Sequence, residues 1–406
     1  MHTQLPDISD FDLRSLPQGF YDNPYPWYQA LREQDPVRRM PDGSVLLTRY
    51  TDVQAVYKNP KVFSSDKRAE FKPKYGDSPL FEHHTTSLVF NDPPLHSRVR
   101  SLIAGALHPR AIADMEEGLV HCVDGLLDKL EQSPQADLIE DFAMHIPIEI
   151  IGNMLAVPQD ERVPLREWSL SILGALEPAI SDEVFEHGNQ CVRDFIAYLD
   201  TLVERRRLDP GDPERDVLTK LILGEDGDAL SRLELLHNCV FILNAGHETT
   251  TNLIGNGLYL LLENPEQRQL LQDQPELIHS AVEEMLRMES SNQLGNRITT
   301  QATEIAGEPI AAGTPITLCI GAANRDPTQF PDPDRMDIQR SPNRHLAFGS
   351  GIHQCAGVSL AKLEGQVAIG RFMQRFPAYQ LAGEAKRGGR VRFRGFLGIP
   401  CQLRSD

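Results

Sequence analysis

The run SRLELLHNCVFILNAGHETTTNLIGNGLYLLLEN, residues 231–264, constrains the fold more than any other stretch. Its apolar residues lie on most faces of a helix, so it predicts a long helix enclosed by protein, not one lying on a surface. Such a helix needs neighbours all round. Helical periodicity dominates from Pro94 to Leu262, interrupted at Pro158, Pro178 and LDPGDPE, and QPELIHSAVEEMLRM and VSLAKLEGQVAIGRFMQRF add further helices. A short amphipathic helix is expected from Tyr25 to Glu33. VRRMPDGSVLLTRY reads as a β-hairpin round a Pro-Asp-Gly turn, β-like runs lie between Arg297 and Ile320, and GRVRFRGFLGIPCQL closes the chain. Between Ser64 and Asn91 the pattern is lost. Charges, prolines, glycines and a His83-His84 pair there predict a long, functional loop. The expected fold class is mainly α with a smaller β-rich region fed by both chain ends. The 406 residues read as one domain after a lead-in of about 24 residues.

Several function classes are disfavoured. A net charge of −18 argues against a general nucleic-acid binder. The N-terminus lacks the basic and apolar regions of a signal peptide, and no run of eighteen apolar residues predicts a membrane span. Six cysteines without a C-x-x-C pair fit reduced thiols and give no zinc or four-cysteine iron–sulfur signature. A soluble, cytoplasmic protein is expected.

One cysteine stands apart. In HLAFGSGIHQCAG, residues 345–357, Cys355 sits in a glycine-rich loop where a helix begins. A thiolate gains most there from backbone N–H groups and the positive end of the helix dipole. Phe348, Gly349, Gly351, His353, Cys355 and Gly357 fit F-x-x-G-x-H-x-C-x-G. The chemistry this suits is a thiolate ligand for haem iron, with glycines letting the backbone come close to the porphyrin face.

This loop resembles the haem-binding loop of the cytochrome P450 superfamily, in its bacterial soluble form. Four further segments, in family order, extend the resemblance from about Tyr25 to Pro400. Glu284 and Arg287 in EEMLR match the E-x-x-R pair, which implies a buried structural network with a third basic member, Arg340 or Arg344. Ala245-Gly246-His247-Glu248-Thr249-Thr250 is similar to A-G-x-[DE]-T. The resemblance implies that Ala245 and Gly246 form a bulged oxygen groove, with Glu248 and Thr249 delivering protons. His247-Glu248 also begins like H-E-x-x-H, but residue 251 is Thr, so a zinc protease is excluded. DPPLHSRVR looks like D-P-P-x-H-x-R-x-R, so His96, Arg100, Arg297 and His353 are expected on the haem propionates. AANRDPTQFPDPDRMDIQR looks like the connecting meander. In place of the prolines common after E-x-x-R, the chain reads RMESSNQLGNR, which implies a different pocket wall there.

The resemblance implies a triangular fold holding haem b between the central helix and the cysteine loop, with Cys355 as axial ligand. It implies a monooxygenase inserting one oxygen atom from O₂ into an organic substrate, with NAD(P)H electrons arriving through a separate ferredoxin and ferredoxin reductase. A peroxide-driven peroxygenase and a non-catalytic haem carrier or sensor are the alternatives. By position, the family's substrate-facing segments map to Leu88, Val89, Phe90, Phe241, Asn244, Leu294, Phe396 and Leu397. Seven of these are apolar, so a compact, largely hydrocarbon substrate anchored by Asn244 is expected. Lys67, Arg68, Lys72 and Lys74 are expected to be a solvated basic stretch. Arg98, Arg110, Arg344 and Lys362 are expected to form a basic dock for the ferredoxin, and the protein to be a monomer.

Overall fold

Arg232–Glu263 forms one helix of 32 residues in the computed structural model, which describes residues 5–213, 216–227 and 230–404. A capping box starts it: the Ser231 hydroxyl accepts from the Glu234 N–H while the Glu234 carboxylate accepts from the Ser231 N–H. It ends at Asn264, immediately before a proline that opens the next helix. Leu253, Ile254, Leu258 and Leu261 are buried among the helices His145–Met154, Ile278–Met288 and Val358–Arg375, which pack round it with Leu165–Gly174 and Asp182–Leu208. The enclosed helix read from the sequence is the axis of the molecule.

A five-stranded sheet flanks the helices. Its strands are β1 (Val37–Arg39), β2 (Val45–Leu47), β3 (Phe63–Ser64), β4 (Leu294–Thr299) and β5 (Pro315–Cys319), in the order β1-β2-β5-β4-β3. β2 and β5 run parallel, with Val45 opposite Ile316, and the other pairs are antiparallel. Side-chain alternation sends Val45, Leu47, Ile316 and Leu318 into a core with the helix Tyr50–Lys58. Leu46, Leu294 and Cys319 join a second core with Ile8, Phe11, Phe20 and Leu31 of the N-terminal segment. At the chain end, Pro400–Gln402 pairs with Gln135–Asp137 and Gln380–Leu381.

The stretch from Ser64 to Asn91 is not a long loop. It holds helices Arg68–Tyr75 and Pro79–Thr86 and a single turn, Leu88–Phe90. The Ser78 hydroxyl caps the second helix by accepting from the Phe81 N–H, and Pro79 starts it. Periodicity missed them because their buried face is mixed: Phe71, Tyr75 and Leu80 with His83 and His84. Among the described residues, no helix is long and apolar enough to cross a membrane.

Candidate functional site

The cysteine loop is held by its own backbone. The Cys355 N–H donates to the Phe348 carbonyl at 2.9 Å, and the Gly349 N–H to that of Leu346 at 2.8 Å. Gly351 has φ of +72°, and a Cβ there would stand 2.3 Å from the Tyr57 carbonyl oxygen. Gly351 therefore lets the loop press against the helix Tyr50–Lys58. Cys355 is exposed, whereas Cys122 is half-buried and the other four cysteines are buried. Protein atoms crowd the sulfur even so, and that burial pushes its thiol pKa up, while the Gly357 N–H and Arg100 pull it down. Gly357 caps the helix Val358–Arg375, so the sulfur lies at a helix N-terminus.

Beside the loop, four basic side chains converge. The His96 and His353 rings lie 4.0 Å apart, centre to centre. Both ring nitrogens of His96, and Nε2 of His353, are buried without a hydrogen-bond partner. Arg100 donates to the Gln354 carbonyl at 2.6 Å, and the buried Arg297 lies over the Tyr57 ring at 5.0 Å. Burial first, then Arg297, His96 and Arg100, push the His353 pKa down to about 2. Burial and Arg100 lower that of His96. Unpaired imidazoles beside two guanidinium groups suit a ligand with carboxylates.

On the central helix, Ala245, Gly246 and Thr249 are half-buried, while Leu243, Asn244, His247 and Glu248 are buried. The Thr249 hydroxyl donates to the Ala245 carbonyl at 2.6 Å. The helix is continuous through Gly246, whose Cβ would meet Ile151 Cδ1 at 2.1 Å. Gly246 is a packing glycine that brings the helix His145–Met154 close. Glu248 pairs with Arg390 at 2.5 Å through Oε1, and its Oε2 is buried without a partner. Burial pushes its pKa up to about 7, although Arg390 pulls it down. The Ser291 hydroxyl, from the segment that departs from the family pattern, donates to the Thr249 carbonyl at 2.7 Å.

Glu284 and Arg287 are fully buried and joined by two bonds of 2.8 Å. The third member is Arg340, at 3.2 Å from Glu284, not Arg344, whose carbonyl accepts from the Tyr50 hydroxyl.

The substrate-facing expectations divide. Leu88 is buried and held by its N–H on Asn238, Phe90 packs on Phe71 at 5.2 Å, and Val89 and Phe241 are half-buried. Asn244 is buried with both amide atoms unpartnered. Leu294 turns instead into the N-terminal core, Phe396 packs against Tyr259 with ring centres 4.5 Å apart and planes tilted by 43°, and Leu397 is 54% exposed. Strand alternation sets the face that Leu294 takes, and Phe396 meets the central helix at Tyr259, about four turns beyond Ala245. Residues 390–395 run along the same helix: Arg390 reaches Glu248, a Cβ on Gly395 would meet Asn252 Oδ1 at 1.9 Å, and Asn256 donates to the Arg394 carbonyl at 3.0 Å.

The basic stretch is not all solvated. Lys67 is buried with Glu70 at 2.5 Å, while Arg68 and Lys72 pair with Asp66 and Asp77. Lys74 donates to the carbonyls of Ala175 (2.9 Å) and Glu177 (2.6 Å), and burial, then Arg392, lower its pKa to about 8. Glu177, Arg390 and Arg392 had no sequence signal. Glu177 accepts from the N–H groups of Val391 (2.9 Å) and Arg392 (3.1 Å), and Arg392 donates to the carbonyls of Leu176 and Leu294. Of the four cations expected to meet a ferredoxin, Arg98 is paired with Glu234 and Lys362 with Glu283, each at 2.5 Å, and Arg98, Arg110 and Arg344 are exposed.

A helical chain wrapped round one buried helix, with a cysteine loop beside carboxylate-seeking histidines and arginines, has the frame of a haem-thiolate protein. The family model for Cytochrome P450 matches residues 170–384. The chain is 40% identical to a vitamin D(3) 25-hydroxylase of Pseudonocardia autotrophica, covering 89% of each. It is 36% identical to the biotin biosynthesis cytochrome P450 of Bacillus subtilis strain 168, over 89% of this chain and 91% of the relative. The crystal structure of P450BioI in complex with hexadec-9Z-enoic acid ligated acyl carrier protein superposes with TM-score 0.90 at 34% identity, over 95% of this chain and 100% of that one. The chain belongs to the cytochrome P450 family, as a bacterial-type monooxygenase with haem b as its cofactor.

Proposed function

We propose that Cys355 is the axial ligand of the haem iron, that His96, Arg100, Arg297 and His353 hold the propionates, and that Phe348, Gly349 and Gly357 shape the loop beneath. The observation that carries this is the orphaned His96–His353 pair between two arginines beside the exposed thiol. Those residues fit haem, because two carboxylates would pair what the chain leaves unpaired. Bound haem supplies the activation of O₂ that places one oxygen atom on an organic substrate. The chain's own part is to bind, orient and protonate. Thr249 presents its hydroxyl beside Ala245 and Gly246, and Glu248 carries protons to that side. Glu284 and Arg287 brace the loop.

The substrate is small and largely apolar, held by Leu88, Val89, Phe90 and Phe241 with Asn244 as its polar anchor. Two similar proteins, a vitamin D(3) 25-hydroxylase and a cytochrome P450 in complex with hexadec-9Z-enoic acid ligated acyl carrier protein, support mostly hydrocarbon molecules bearing an oxygen function. Electrons come from NAD(P)H through a separate ferredoxin and reductase, to a monomeric cytoplasmic enzyme. Cys355→Ser tests the assignment. The reduced carbon monoxide complex is expected to lose its strongly red-shifted Soret band, and a variant that keeps that band overturns it. Thr249→Ala is expected to consume reductant while releasing hydrogen peroxide in place of product, and an unchanged product yield removes Thr249 from proton delivery.

A further inference from the structure

We propose that Arg390 is a positioning residue for the distal proton donor: it grips Glu248 by Oε1, leaves Oε2 to carry the proton, and ties that arrangement to the seating of the helix Leu165–Gly174. The inference deepens the reading of Glu248 as proton donor and rests on it. One guanidinium makes both links. Its Nη1 lies 2.5 Å from Glu248 Oε1, and its Nη2 donates to the Leu170 carbonyl at 3.1 Å. Glu248 Oε2 is buried and unpartnered, so it is the oxygen open to a transferable proton.

Arg390 is itself held in place. The next two residues of its segment give their N–H groups to the Glu177 carboxylate. That carboxylate sits on the loop between Leu165–Gly174 and Asp182–Leu208, and Lys74 and Tyr75 bind the same loop from the other side. Arg390 also lines a cleft of about 350 Å³ with Leu170, Gly174, Glu177, Ser181 and His187. The cleft opens to solvent, and Arg390 is a quarter exposed while Glu248 is nearly buried. Protons from water can therefore reach the donor past Arg390.

The groups facing Glu248 set its ionisation. Arg390 favours the carboxylate, and burial and Glu177 oppose it. His247, next on the same helix, is neutral at pH 7 because burial lowers its pKa to about 4. Arg166 on the helix Leu165–Gly174 is taken up by Glu140 at 2.5 Å. Removing the Arg390 charge therefore raises the Glu248 pKa above its value near 7.

The test is infrared titration of the Glu248 carboxyl C=O band in the ferric, haem-loaded enzyme, with Glu248→Gln identifying the band. The wild-type midpoint is expected near pH 7. In Arg390→Gln it rises by about one unit or more, and product per NAD(P)H consumed falls several-fold. Arg390→Lys keeps the charge but not the fork. Its midpoint rises by less, and it serves if the glutamine variant takes up no haem. Midpoints unchanged in a folded Arg390 variant overturn the positioning role. So does a loss of coupling that recurs undiminished when Arg390→Gln is placed in the Glu248→Gln background, because the effect then bypasses the carboxyl. Wild-type coupling in Glu248→Gln alone overturns the proton-donor reading, and is told apart because the infrared midpoints still shift.

Discussion

At Glu284 and Arg287 the charges are dry and answered: Arg287 donates twice, Arg340 and Asn343 approach, and the Asp337 N–H donates at 2.9 Å, with Glu284 and Arg287 both at 0% exposure. Around Glu177, the contacts run from half-exposed side chains to backbone groups of another segment, and each could let go singly. Both regions join pieces far apart in the chain. They differ in what opening costs. A buried charge stripped of its partner is left in low dielectric, whereas a half-exposed one is taken over by water. The first arrangement makes a scaffold for the cysteine loop. The second holds its loop by contacts that cost less to open, and the segments that move in function come from the low-stability end of a fold.

The comparison can be broken most directly at its stronger side. Arg287→Ala is expected to cost about 3–5 kcal/mol, read by denaturant unfolding and loss of haem uptake. A cost no larger than that of a surface substitution would show that the network is ornamental. Next comes a buried acid near the same helices. Glu364 is almost fully buried with Oε1 unpartnered, and burial pushes its pKa up to about 8, with only the Thr250 hydroxyl pulling it down. The folded form holds that proton more tightly than the unfolded form. Glu364 therefore costs nothing below the usual carboxylate range, and stability is lost as pH rises toward 8. Glu364→Gln should flatten that loss, gaining on the order of 3 kcal/mol at pH 9 and almost nothing at pH 4 in thermal unfolding. Equal stability curves would refute the raised pKa.

Gly246→Ala is a smaller test of packing. Its Cβ would press on the flexible end of Ile151, at a cost of about 2 kcal/mol in unfolding experiments. Ile151→Ala in the same chain should give part of that back, and a cost the second change does not alter would locate the strain elsewhere. Glu177→Gln should have the smallest effect on stability, about 1 kcal/mol, yet quicken substrate association in stopped-flow spectra. If it proves as costly as Arg287→Ala, the two regions are not different in kind.

Legibility followed the range of the interaction. The enclosed central helix, the β1–β2 hairpin and the E-x-x-R pair were readable because their signals sit close together in the chain: apolar residues on most helix faces, a Pro-Asp-Gly turn, and Glu284 with Arg287. The helices Arg68–Tyr75 and Pro79–Thr86 were not, because their buried side mixes histidines with aromatics and their stability comes from packing. The choice between Arg340 and Arg344 needed coordinates, as both precede the cysteine loop at plausible spacing. Nor was the direction of Leu294 legible, since in a strand one step of register sends a side chain to the opposite face, and it enters the N-terminal core.

What the sequence by itself determined is the family, the enclosed helix, the cysteine at a helix start and the basic residues that seek carboxylates. Each is a matter of residue type at short spacing, and side-chain chemistry and helix geometry act over that distance without help. Only the tertiary structure decided that Gly246 packs on Ile151, that Lys74 and Glu177 fasten a loop, and that Arg390 meets Glu248 across 142 positions of chain. The reason is physical. Neither partner of such a contact carries any local mark of the other, and its free energy appears only after the chain has spent its conformational entropy bringing them together.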